Sequence, residues 1–170
     1  KGRRENNWGE FEMKMDKQEL EAIINKIAQY RGAIIHDSIN IEALIEAIIA
    51  VYFVRDNKNN EFNRKVLDDE YFSFGLKIRI LEKINIGLEK KLTEKIRKIN
   101  DIRNKFAHKV PGIIPKSGLI SISFDITKEA PEKIEDLHKE FLKLLEEVKP
   151  ELDKIFWKLV EENKKNGERV

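Results

Sequence analysis

The chain contains no cysteine, which removes disulfides, thiol nucleophiles and thiolate metal sites together. Proline is scarce at four residues, so few positions interrupt a helix, and histidine, at three, leaves few candidate imidazoles. Sequence motifs of the familiar nucleotide and hydrolase sites are missing as well: there is no GxxxxGK[ST] or GxGxxG phosphate loop, no HExxH and no GxSxG elbow. No signal peptide is visible, and the longest apolar run, Ile39 to Val54, is too short for a membrane span and carries Glu42 and Glu46. The expectation is a cytoplasmic protein that does not enter a membrane.

What the chain does contain is charge and isoleucine. Charged residues make up 38% and hydrophobic residues 41%, a balance that excludes disorder and fits helices with densely charged outer faces. The net charge of +2 is too small to signal nucleic-acid binding by itself, so any such partner has to be argued from a site. One hundred and seventy residues suit a single domain with one core.

Residues 1–15, KGRRENNWGEFEMKM, lack sustained periodicity and read as a loosely ordered leader in which Trp8 and Phe11 could dock; residues 16–170 read as one helical domain. Asp16 is the expected N-cap of a first helix striped by Leu20, Ile23, Ile24, Ile27 and Tyr30. A second helix is expected from Asp37 to Phe53, apolar almost all round and therefore central to a bundle or shared with another protomer. Residues 55–70 form a polar connection, flexible or partly helical, whose acidic run Asp68-Asp69-Glu70 suits a loop or helix start better than a metal site. A further helix runs from Phe72 to about Gly87. Leu92, Ile96, Ile99 and Phe106 then stripe a helix that has to end before Pro111. From Leu119 to Ile126 apolar residues alternate with Ser121, Ser123 and Asp125, a strand pattern, so a short strand or hairpin arm is expected near 118–127. The last helix starts near Pro131, kinks at Pro150 and ends about Lys165. The fold class is all-α, a bundle of about four to six helices with that small β arm.

One stretch, DIRNKFAHKVPG at 101–112, concentrates the residues that can do chemistry. At about 100° per residue, Arg103 falls inside the apolar stripe of its own helix. A guanidinium facing a core needs a partner or a cavity. Glu42 and Glu46, one turn apart on the apolar second helix, are the expected partners. Asn104 and His108 are also one turn apart, roughly 100 to 140° around the helix from Arg103, so an ideal helix does not point all three at one spot; looser geometry where the helix ends at His108, or a two-fold partner bringing a second Arg/His set, could complete a site. The negative end of the helix dipole favours a cationic side chain at His108, and a cationic donor beside an arginine suits a phosphate ester. The same residues also admit a purely structural role, as a helix-terminal cap and half of a buried ion pair. Arg31 and His36 in RGAIIH repeat the Arg-x4-His spacing without the Asn, across an expected helix junction, and read as structural. His138 lies among charged residues and reads as solvated. Phe156 and Trp157 read as packing residues, with base stacking the alternative.

RNKFAH resembles the Arg-x(4 to 6)-His motif of the HEPN superfamily, whose ribonuclease members often carry a polar residue directly after the Arg. The order and spacing of RGAIIHDSINIEALIEAIIAVYF, YFSFGLKIRILEKI, IRKINDIRNKFAHK and SFD resemble the mannitol repressor-like branch of HEPN-type helical domains, over residues 20–145. The resemblance implies a HEPN-like bundle that forms a homodimer with its site at the interface. It implies a metal-independent, cofactor-free endoribonuclease acting on RNA, in a toxin or defence setting, with a protein antitoxin or regulator as a candidate partner. His108 would then be the general acid or base, Arg103 would hold the phosphate and Asn104 would orient the Arg or a phosphate oxygen, with Glu42 and Glu46 as supporting residues. Relatives in this branch are also associated with regulation, so the second function to weigh is a non-catalytic binding or regulatory module.

Overall fold

The computed structural model describes residues 16–54, 59–67, 71–84, 86–109, 111–116, 119–123 and 133–167. Helix α1 (Lys17–Phe53) is the longest element, 37 residues or about 55 Å. Asp16 caps it as expected, its carboxylate accepting from the Gln18 N–H. The two helices expected over 20–53 are therefore one. The reason lies in the stripe: Ile27, Tyr30, Ile34, Ser38, Ile41, Ile45 and Ile48 continue at three- and four-residue steps straight through the supposed junction. The only weak helix former there, Gly32, costs about 1 kcal/mol in a helix interior, and its surroundings are open. Buried Ser38 satisfies its hydroxyl by donating to the Ile34 carbonyl at 2.6 Å.

After α1, a single helical turn, α2 (Asn59–Phe62), passes into a π-helical turn over Asn63–Leu67 that drops Leu67 into the core. The polar connection is thus partly helical; Asp68-Asp69-Glu70 lie outside the described residues. Helix α3 (Phe74–Lys83) is shorter than the sequence pattern suggested. It starts on a Ser73 cap, whose hydroxyl accepts from the Leu76 N–H, and it ends at Ile84 before Gly87 turns the chain at a φ of 71°. That left-handed conformation is one glycine adopts without a Cβ clash. Helix α4 (Lys90–His108) buries Leu92, Ile96, Ile99, Ile102 and Phe106.

Strands β1 (Gly112–Lys116) and β2 (Leu119–Ser123) pair antiparallel, Gly112 opposite Ser123 and Lys116 opposite Leu119. This is the expected arm, with β1 as the partner that the alternation alone did not reveal; Phe124 to Ile126 lie outside the described residues. Helix α5 (Ile134–Gly167) continues across Pro150, which sits on its exposed face where an unpaired carbonyl meets water. Pro131, the leader at 1–15, Trp8 and Phe11 also lie outside the described residues.

The architecture is an all-α bundle in which α1, α4 and α5 pack on one another, α3 closes the side between α1 and α4, and β2 lies alongside α5. Its core is isoleucine-rich, built around Ile34, Ile41, Ile45, Ile48, Ile96, Ile99, Phe106 and Phe141. Ion pairs between helices ring it: Lys26 with Glu135, Lys95 with Glu147, Lys98 with Glu140, and a two-pronged Arg97 to Glu82 contact at 2.6 Å for each prong. Near the far end of α5, Asn163 donates to the Val51 carbonyl in the last turn of α1. Among the described residues no helix is long and apolar enough to cross a membrane.

Candidate active site

Helix α4 delivers the RNKFAH residues to one end of the bundle. It stops at His108, where Lys109 turns extended while its N–H still donates to the Lys105 carbonyl. The stop follows from Pro111, which pushes the residue before it out of the helical region. Arg103 is half-buried, as its place in the stripe requires, and its Nη1 donates to the Asn104 side-chain oxygen at 3.0 Å. That bond draws the guanidinium around the helix toward the face carrying Asn104, reducing the angular separation expected from an ideal helix. His108 is exposed on the last turn. The structure therefore joins Arg103 to Asn104 directly and presents His108 to solvent one turn further on.

Glu42 and Glu46 do not serve this site. Both carboxylates accept from the Lys77 ammonium of α3, Glu42 at 2.7 Å. Lys77 is only 5% exposed. Burial pushes its ammonium down, but the hydrogen bonds and charges of the two glutamates outweigh that and hold it above its ordinary value. The expectation that one of them answers Arg103 is corrected for a simple reason. Lys77 falls in the α3 stripe between Phe74, Ile78 and Leu81, and the angular test that singled out Arg103 singles out Lys77 equally.

Arg31, set aside from the sequence, does reach the site. From α1 its Nη2 donates to the Lys109 carbonyl at 3.2 Å, satisfying one of the open carbonyls at the end of α4. Its Nε is buried with no hydrogen-bond partner among the described residues. The signal that could have found it was the uninterrupted α1 stripe, which puts residue 31 beside Ile27 and Ile34. His36, the other half of that spacing, is exposed.

His138 is half-buried and not freely solvated. Its ring stacks on Tyr30 with centroids 4.2 Å apart and planes 21° from parallel. Burial pushes its imidazole below the ordinary value, with the charge of Asp37 opposing the shift. Lys26 lies 5.8 Å over the other partner's ring, Tyr30, and is held by Glu135, whose hydrogen bond raises the ammonium. Trp157, by contrast, is 59% exposed and touches Phe156 edge-on, so only Phe156 joins the core packing.

No protein-family model matches this chain, and comparisons with curated proteins and with solved structures return no significant match. The likeness of RNKFAH to the HEPN motif stands on the quoted residues alone.

Proposed function

We propose that the chain is a metal-independent endoribonuclease of HEPN type, working as a homodimer in a toxin or defence setting. The observation that supports this reading is the exposed His108 one turn beyond an arginine already hydrogen-bonded to its neighbouring asparagine. In this reading the RNA 2′-hydroxyl attacks the adjacent phosphorus. A histidine takes the hydroxyl proton, and the departing 5′-oxygen receives a proton from the symmetry-related histidine. The P–O5′ bond breaks as the P–O2′ bond forms, leaving a 2′,3′-cyclic phosphate and a 5′-hydroxyl. Arg103 neutralises the extra negative charge on the phosphorane, and Asn104 keeps the guanidinium turned toward it. DNA lacks the nucleophile and resists cleavage.

The test compares wild type, His108→Ala and Arg103→Ala on mixed RNA in EDTA, with end-group analysis of the products. Wild type is expected to leave cyclic phosphate ends. His108→Ala should lose about 10²- to 10⁴-fold in rate, and Arg103→Ala about 10²- to 10³-fold. Cleavage that requires a divalent metal, or that survives His108→Ala, rejects the mechanism. The second reading, a non-catalytic HEPN-type binding or regulatory module, is favoured by an apolar groove far from His108. On that reading no preparation cuts RNA.

A further inference from the structure

Helix α3 is apolar on two faces. Phe74, Ile78 and Leu81 enter the core, while Leu76 is exposed and Ile80, one turn on, is only partly buried at the core's edge. With Tyr52 and Phe53 at the end of α1 and Ile84 after α3, they line a groove of about 410 Å³. Phe53 is 56% exposed and Leu76 36%. The Phe53 ring is held edge-on by Tyr52, with centroids 5.1 Å apart and planes at 84°. Arg79 and Lys83, both exposed, complete the lining. The groove lies about 33 Å along α1 from Arg31.

We propose that this groove docks an amphipathic segment of a partner protein, one that offers two apolar anchors a helical turn apart flanked by aspartate or glutamate. Charge identifies the occupant. Lys26, Lys95, Lys98 and Arg97 each meet a glutamate of a neighbouring helix. Among the described residues Arg79 and Lys83 meet no carboxylate and no acidic residue lines the groove. An acidic flank supplies what they lack while its apolar face covers Phe53, Leu76 and Ile80, the helix-in-groove mode of recognition.

A second copy fits less well, since docking by two-fold symmetry would set Arg79 and Lys83 against their own counterparts. The proposal rests on the groove and is independent of the ribonuclease reading.

The experiment is a selection from a random displayed-peptide library on the full chain, followed by titration of the enriched peptides with a fluorescein label. Enriched sequences are expected to share two large apolar residues three or four apart beside Asp or Glu. Phe53→Ser should weaken them about tenfold or more. Arg79→Glu with Lys83→Glu, a change confined to exposed side chains, should reverse the preference, so that the same peptides carrying Lys in place of their acids bind the altered protein. Failure to enrich any sequence, enrichment indifferent to charge, or binding untouched by Phe53→Ser overturns the proposal. So does conversion of a dimer to a monomer by Phe53→Ser in light scattering, which would assign the groove to self-association.

Discussion

Replacing Lys77 with methionine keeps most of the apolar stem and deletes the one ammonium that Glu42 and Glu46 share. Those carboxylates, side chains 19% and 17% exposed, would then lie one turn apart on α1 without a counter-charge. Removing one member of a buried ion pair costs about 3 to 5 kcal/mol, and the residual exposure of both acids points to the lower bound, about 3 kcal/mol. In urea unfolding followed by circular dichroism at pH 7 and fixed protein concentration, a slope of about 2 kcal/mol per molar turns that loss into a midpoint about 1.5 M lower. The pH dependence supplies the sharper check. The Lys77 ammonium is held above its ordinary value in the folded wild type and is absent from the variant, so the stability it contributes is full below about pH 10.5 and is lost as pH rises through the higher folded value. The difference between the two proteins should therefore be undiminished at pH 7 and should narrow as the solution is made alkaline. Replacing Glu42 and Glu46 with leucine in the same variant should recover stability to within about 1 kcal/mol of wild type. A loss below about 1 kcal/mol at pH 7, or one that is the same at pH 7 and about pH 11, would refute the reasoning that this triad is an electrostatically closed unit.

Arg31→Met should cost about 1 kcal/mol through the lost bond to the Lys109 carbonyl, and amide exchange over 106–109 should quicken relative to the rest of α4; unchanged exchange there would mean that the bond does not restrain the helix end. His138 holds its proton less tightly when folded, because burial opposes its charge. The unfolded chain therefore takes up that proton first as pH falls, so the stability His138 contributes is complete above about pH 6.5 and declines as pH drops toward the lower folded value. His138→Phe keeps a ring on Tyr30 without a titrating group, and its melting temperature should fall less than that of wild type between pH 7.5 and 5. Parallel curves for the two proteins would contradict a half-buried imidazole whose charge is disfavoured by burial.

Much of this molecule is legible in the order of its residues, and the gaps have specific causes. The Asp16 cap, the α4 stripe, its stop before Pro111 and the β arm follow from local rules that tertiary packing reinforces. Two separate helices are expected on either side of a junction between Tyr30 and Asp37, yet a stripe that keeps its phase across Gly32 is the stronger determinant. Arg103 in its stripe was a correct anomaly with the wrong partner. Periodicity says that a charge faces inward; it does not say which of several inward charges are adjacent, and Lys77 won the glutamates. Arg31 and His138 illustrate the same limit, since both depend on which helix end arrives beside α1. The Arg103 to Asn104 bond depends on the side-chain torsions of neighbours that a helical wheel holds apart.

Helix α1 is anchored unevenly along its length. From Lys17 to Ala33 it lends the core only the flanks of Ile23, Ile27 and Tyr30, whereas from Ile34 onward every turn is sealed in. Among the described residues, opening of the first turns loses few apolar contacts and so costs little. Arg31 stands at the boundary where that melting meets resistance. Melting that has passed the Lys26–Glu135 pair and the Tyr30–His138 stack meets Arg31's hold on the Lys109 carbonyl next, before the isoleucines from Ile34 onward are wetted.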